Sequence, residues 1–467
     1  MVGNQRNNIF FMYSLVILIL LFFVSCGSDG SSNNATDDTA NGNSAASWTH
    51  PTDLTDGILT AGGFPYYPQV AIAKNGDLGL IYFDEDDVGD PHIYMSEYRN
   101  GSWTHPASTD DYFSLPGSDV VNHSYNIPQI VMSDNGDTVV TWMQKDITLG
   151  GSECYYMSEF RSGTWTHPAN LDDHLNVGPG GTFDGPAKIA MSASGETVIV
   201  WAQNIPSGPV RIFKSEYRNG SWVHPADPAD YINADVSSCY YPHASMNDGG
   251  ETILTWVQRI VVSSTDYNVV KSDYRNNAWT LQSGTDDYIS PDGYGFEYKP
   301  LSAISDNGDA VIVWRQATND DKFDTDNKVF MSEYRNGAWT HPADLDDFIG
   351  LSGAETPASA PEAAMDDNGN AIIVWVQSDG AGSSRLYMSQ YENGAWIHPG
   401  VDDYISPDGT SGISDYHVAM SGNGDAIVVL LQSDGNDKQL FMSEYRDGVW
   451  THPTRTTDFI SLAGQAA

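Results

Sequence analysis

The stretch Pro128–Ser133, Asp137–Gln144, Tyr155–Arg161 and Thr164–Pro168 (PQIVMS, DTVVTWMQ, YYMSEFR and TWTHP) holds four short runs rich in β-branched and aromatic residues. Turn formers separate the first pair and the last pair, at Asn135-Gly136 and Ser162-Gly163. Runs of this length and composition, joined by two-residue turn signals, predict four antiparallel strands, here lettered A to D. The A to B link carries Asn-Gly in most copies, at Asn75-Gly76, Asn307-Gly308, Asn368-Gly369 and Asn423-Gly424 as well. That dipeptide predicts a type I′ hairpin.

Working outward, the closing motif Trp-x-His-Pro has its Trp at 48, 103, 165, 222, 339, 396 and 450, with a degenerate copy at Trp279. The mean period is about 57 residues, and seven A-B-C triplets fall between the eight D-type segments. A unit of four antiparallel strands repeated seven times, with no helical periodicity, predicts an all-β fold, a seven-bladed β-propeller. The D-type segments at Trp48–Pro51 and Trp450–Pro453 then compete for one edge of the seventh blade. Composition agrees: Gly 44 and Pro 23 among 467 residues, with Trp 13, Tyr 25 and Phe 16, suit many short strands and frequent turns. Lys+Arg 21 against Asp+Glu 62 gives a net charge of -41, which repels phosphate backbones and anionic lipid. Nucleic acid is excluded as a partner.

The Asn-Gly-Asp, apolar run, Trp, Gln pattern of residues 132–168 resembles the blade repeats of bacterial extracytoplasmic β-propellers over about residues 47–455. That resemblance implies an architecture and leaves function open. The chain is also distantly similar to sialidase-like propellers, but Ser133-Asp134-Asn135-Gly136-Asp137 does not have the spacing of their Ser-x-Asp-x-Gly-x-Thr-Trp box.

Residues that recur in every blade are explained first by packing. Trp142, Trp201, Trp256, Trp314 and Trp375 read as core between blades, and the Met-Ser-Glu-Tyr-Arg runs of strand C as core and solvated edge. The histidines of Trp-x-His-Pro belong to different blades, too far apart to share a metal ion. Paired carboxylates in the D to A links, such as Asp110-Asp111 and Asp172-Asp173, read as local caps. Cys154 and Cys239 lie a blade apart, beyond the ~7 Å that a disulfide spans, so two free thiols are expected. Acidic loops at Asp84–Asp90 and Asp320–Asp326 offer clustered oxygens, without the spacing of a calcium loop. No cofactor is expected, calcium being the one candidate.

What the scaffold does not require lies at the start of strand A, on the face that bears the long B to C and D to A links. The first exposed position there is Gln69, Gln129, Lys188, His243, Leu301, Glu362 and His417 in turn. Aromatic residues precede it: Tyr66, Tyr67, Tyr125, Phe183, Tyr240, Tyr241 and Tyr298, with Tyr416 in the seventh blade. Gln69, Gln129, Lys188, His243, Glu362 and His417, with Tyr66, Tyr241, Tyr298 and Tyr416, are therefore the predicted ligand-binding set. No catalytic residue is assigned. A binding module for a glycan, a peptide or an envelope protein is expected, acting as a monomer; the alternative is a propeller glycoside hydrolase or lyase.

At the N-terminus Arg6 precedes an apolar run from Ile9 to Val24, and Phe23-Val24-Ser25-Cys26 resembles a bacterial lipobox. The expected organisation is a signal peptide at 1–25, a flexible tether at 26–46 with Cys26 lipidated, and the propeller at 47–467. This places the chain at a bacterial cell envelope, on the outer membrane or cell surface, with the lipid as its only membrane contact. Cys26→Ala is expected to release the protein from the membrane fraction or leave it unprocessed. Membrane partition and lipid labelling equal to the parent's would refute the anchor.

Overall fold

A computed structural model describes residues 66–118, 120–121, 126–178, 185–205, 208–235, 238–259, 267–291, 298–318, 327–351, 358–408, 412–433, 435 and 437–460. Among the described residues, twenty-eight strands form seven four-stranded antiparallel sheets, each built from four consecutive strands. In the first, β1 (Tyr66–Ile72), β2 (Leu78–Glu85), β3 (Pro91–Arg99) and β4 (Ser102–Thr104) pair in order. The same order runs through each later sheet, so the fold is a seven-bladed β-propeller. Strands A, β1, β5 (Gln129–Met132), β9 (Lys188–Met191), β13 (Ser238–Met246), β17 (Tyr298–Ile304), β21 (Glu362–Met365) and β25 (Ile413–Met420), contact one another in sequence along the inner rim, from β1 through β25.

The strands B of blades two to six are apolar on both faces because each is covered by a blade on either side. Thr197–Asn204 (β10), for example, is buried from Thr197 through Gln203. The strand-B tryptophans are core, as expected: Trp142, Trp201, Trp256, Trp314 and Trp375 are each no more than 2% exposed. Their neighbours explain the Trp-x-Gln pattern. Trp142 Nε1 donates to Gln144 Oε1 at 3.0 Å, and Gln144 Nε2 donates to the Leu115 and Ser118 carbonyls, binding the D to A link onto the blade.

The strand-C arginine differs from its reading as a solvated edge. Arg161 ends β7 (Ser152–Arg161), yet its Nη1 donates to the Gly195 carbonyl at 2.9 Å and its Nη2 to Thr197 Oγ1 at 3.0 Å, both in the next blade. Its guanidinium carbon stands 3.7 Å above the centre of the Tyr217 ring, also in that blade. Glu159, two residues earlier, accepts from Arg161 Nε at 2.7 Å and from Trp222 Nε1 of the next blade at 2.9 Å. The same clamp recurs from Arg99 to Gly136 and Phe160, from Arg218 to Gly250 and Tyr274, and from Arg335 to Gly369 and Tyr391. In the sixth blade Glu392 takes the arginine's place and receives the Tyr445 hydroxyl at 3.1 Å.

The C to D turns are type I′, with positive φ at both residues, as at Asn100 (51°) and Gly101 (82°). The A to B turns differ from expectation. Only the glycine is left-handed, as at Gly76 (φ 88°), and Gly76 N donates to the Ala73 carbonyl at 2.9 Å. This is a tight turn closed by a left-handed glycine, with Asn75 Oδ1 accepting from Asp77 N at 2.8 Å. The paired carboxylates cap locally as expected: the second of each accepts a backbone N–H from about four residues before, Asp111 from Ala107 and Asp173 from Ala169.

In the seventh blade β28 (Val449–Thr451) pairs with β27 (Lys438–Arg446), so the C-terminal D-type segment holds the outer edge. Trp48–Pro51 lies outside the described residues. The D-strand tryptophans of blades two to seven each bond to strand C of the preceding blade, whereas Trp103 of the first blade is 45% exposed. Cys154 and Cys239 are buried free thiols.

The clamp makes a specific stability prediction. Arg161→Ala removes three charge-assisted bonds and a ring contact from a side chain only 12% exposed, and should cost about 3 kcal/mol in urea unfolding. Arg161→Lys, which cannot fork between a carbonyl and a hydroxyl, should recover little of it. A loss under 0.5 kcal/mol, on the order seen for ordinary surface changes, would contradict the clamp.

Candidate binding site at the channel mouth

Strand pairing brings the predicted polar positions to one level. Gln69, Gln129, Lys188, His243, Leu301, Glu362 and His417 pair with Ile81, Thr141, Val200, Thr255, Val313, Val374 and Val429. Each partner is the fourth residue of its strand B, so the seven form one tier on the inner rim. All seven are half-buried.

Neighbouring members of the tier bond across blade boundaries. Lys188 Nζ donates to Gln129 Oε1 at 3.5 Å. His243 Nδ1 accepts from the Ser302 backbone N–H at 3.3 Å, which leaves the proton on Nε2, and Ser302 also receives the Ser245 hydroxyl at 2.8 Å. His417 Nδ1 lies 3.0 Å from Glu362 Oε1, and its Nε2 lies 3.7 Å from Asp415 Oδ1. Gln69 turns back on itself, its Nε2 donating to the Pro68 carbonyl at 2.8 Å.

Burial and charge divide these groups. Burial, helped by the charge of Lys188, pushes His243 down to about 3. Burial and the Lys299 ammonium push Lys188 down to about 8, with Glu362 opposing. For His417 burial works downward, but the hydrogen bond and charge of Glu362, with Asp415, outweigh it and raise the imidazole above its ordinary value. Asp415 is raised by burial and by Glu362, against the pull of His417. One sector of the rim thus holds a neutral imidazole and the other an imidazole whose cationic form two carboxylates favour.

The aromatic positions are tied into the blade ends. Tyr66 packs on Tyr67 and Phe83 at 5.4 and 5.6 Å between ring centres, and Tyr240 on Tyr241 and Tyr267 at 6.3 and 6.2 Å. The Tyr416 hydroxyl donates to the Ala360 carbonyl and meets Ser359 Oγ. Tyr298 begins β17 (Tyr298–Ile304); its side chain, Tyr125 and Phe183 lie outside the described residues. Of the acidic loops, Asp86 is a cap, its Oδ1 accepting from Val88 N and Asp90 N; Asp320–Asp326 lies outside the described residues.

Sequence reading missed three contributors, Lys299, Ser302 and Asp415. A signal for the first was present: Tyr66-Tyr67-Pro68, Tyr240-Tyr241-Pro242 and Tyr298-Lys299-Pro300 share a pattern. In all three the strand bulges before the tier residue, with Tyr67, Tyr241 and Lys299 at φ 53°, 52° and 40°. A left-handed side-chain residue costs roughly 1–2 kcal/mol, and a bulge re-aims the side chain that follows. These bulges aim Gln69, His243 and Leu301.

The chain matches no family model and no curated protein. Among solved structures it is similar to an ulvan lyase described as a new family of polysaccharide lyase, at 10% identity over 82% of this chain and 93% of that one, with a TM-score of 0.48. It is also similar to the six-bladed, fucose-recognising lectin of Aleuria aurantia, at 13% identity over 75% of this chain and all of that one, TM-score 0.37. A puromycin-hydrolysing peptidase of Mycobacterium tuberculosis matches at 12% identity over 84% of this chain and 53% of that one, TM-score 0.42.

The His243 shift predicts an acid sensitivity with a definite sign. Its folded value lies below the ordinary 6.5, so the unfolded chain takes up the proton first and stability falls as pH drops from 6.5 toward 3. In thermal melts, His243→Asn should gain on the parent between pH 7.5 and pH 4.5. An offset independent of pH would contradict the assignment.

Proposed function

We propose that the chain is a surface-tethered recognition protein, anchored through Cys26, that binds a hydroxyl-rich ligand of glycan type at the loop-bearing mouth without turning it over. The observation that carries this reading is the single tier: seven equivalent positions hold seven side chains that packing does not dictate, most of them polar. A sugar presents donors and acceptors around a ring with apolar faces, which suits clustered amides, imidazoles and an ammonium beside tyrosines. Lys188 adds a hydrogen-bond donor beside the Gln129 amide, so vicinal hydroxyls could be held between an ammonium and an amide.

A second reading, a propeller hydrolase or lyase, is favoured by one observation, the placement of His417 between Glu362 and Asp415. An imidazole whose cationic form is favoured by carboxylates is a candidate general acid, and its partners are candidate bases.

A glycan array probed with the soluble propeller should give hits that the His243→Ala/His417→Ala double variant binds about tenfold or more weakly, a loss of roughly 1.4 kcal/mol, with little change in melting temperature. Unchanged binding by the double variant would remove the tier from the account. Product analysis on each hit separates the two readings: turnover abolished by Glu362→Gln establishes the enzyme.

A further inference from the structure

The second blade departs from its siblings at one outer position of the loop-bearing face. There the D to A link returns to strand C, the Leu175 N–H donating to the Tyr155 carbonyl just as Phe113, Ile232 and Ile405 donate to Ile93, Ile212 and Leu386. In those three blades the residue before the returning N–H is an aromatic ring, and the residue before the carbonyl stacks on it. His92 lies on Tyr112 at 3.8 Å, Arg211 over Tyr231 at 4.5 Å and Arg385 over Tyr404 at 4.3 Å. The second blade has His174 in place of the ring and Cys154 in place of the cation.

Asp146, ending β6 (Thr138–Asp146), completes the group: one ligand atom each from Asp146, Cys154 and His174 lies within 4.8 Å of the others. Asp146 Oδ1 accepts from Thr148 N at 2.7 Å and from Thr148 Oγ1 at 2.6 Å. Its Oδ2 has no hydrogen-bond partner, although the side chain is 0% exposed, and it points toward His174 Nε2 at 4.0 Å. His174 Nδ1 lies 3.1 Å from the Asn176 carbonyl and donates to it, which turns Nε2, the nitrogen free to act as a ligand, toward the carboxylate. A carboxylate oxygen, an imidazole nitrogen and a sulfur thus converge on one buried point, where a cation would satisfy all three.

We propose that Asp146, Cys154 and His174 bind a divalent transition-metal ion of the zinc type. Thiolate, imidazole and carboxylate are a borderline-soft donor set, which disfavours calcium and magnesium. Bonds of about 2.0–2.3 Å bring tetrahedral ligands to roughly 3.5 Å apart, so rotation of His174 and Cys154 must close the group by about an ångström. The Cys154 thiol gives its proton to solvent as the sulfur takes the metal. Water reaches the fourth position past His174, 12% exposed. The Asn176 carbonyl fixes the imidazole tautomer as a metal ligand requires. The ion would pin the B to C loop and the D to A link to the blade edge, independently of the channel tier.

Cobalt(II), with its visible and near-ultraviolet spectrum, is the probe. The metal-stripped full chain should take up one Co²⁺ with a thiolate-to-metal charge-transfer band, and Zn²⁺ should displace it. Cys154→Ala should lose the band, and His174→Tyr, which installs the ring of the first, third and sixth blades and so keeps the fold, should bind at least ~10-fold more weakly. No stoichiometric uptake by the parent, a band that survives in Cys154→Ala, or undiminished affinity in His174→Tyr would each overturn the site.

Discussion

The guanidinium that ends strand C, lying flat on an aromatic ring of the next blade and forking between its Gly carbonyl and Thr hydroxyl, is the interaction on which the rest depends. A blade alone is a four-stranded sheet with two apolar faces, and neither can face water. Apolar burial holds adjacent sheets together but is indifferent to small slides. The clamp from Arg161 to Gly195, Thr197 and Tyr217 sets the register of one sheet on the next, and Glu159 shared with Trp222 closes the outer side. Arg is required because only a planar fork satisfies a carbonyl, a hydroxyl and a ring at once. Gly195 is required because a Cβ there would stand 3.1 Å from the guanidinium.

That arrangement consumes nearly everything a repeat contains. Trp and Gln of strand B, Ser, Glu and Arg of strand C, and Trp and His of strand D are all engaged with a neighbouring strand, link or blade. His167 bonds to Ser158 and His224 to Ser215, each within its own sheet, which is why these histidines make no common site. Only the entry of strand A and the long links of one face are left to vary. B to C loops and D to A links do meet there, as Thr109 to Asp87 and Thr148 to Asp172 show. Departures from the repeat concentrate on that face, at the inner tier and at the Asp146 cluster.

The fold was legible because its determinants are local: strand composition, two-residue turns and a period. The level of the tier was legible for the same reason, since a strand whose partner is buried on both faces has no freedom to slip. What escaped were contacts between segments distant in the chain. The arginine looked solvated because its partners lie 34 and 36 residues ahead, in the next blade. Asn135-Gly136 suggested a type I′ turn, but only Gly136 is left-handed and the Asn135 side chain accepts from the Asp137 N–H to close the turn. Asp146, Cys154 and His174 come from three separate segments, and a blade-by-blade alignment of strand C with the following link would have exposed the substitution. The Tyr-x-Pro triplets were visible, but their bulges, and so the direction of Gln69 and His243, were not.

The central claim is that function resides where blades differ, at the inner tier, and not on the repeated outer strands. A crystallographic difference map of the propeller with a saccharide ligand tests it most directly. The account predicts density within hydrogen-bonding reach of Lys188, Glu362 and His417. Density instead along the outer Trp-x-His-Pro stacks, such as Trp165 on His167, with the rim unchanged, would contradict it.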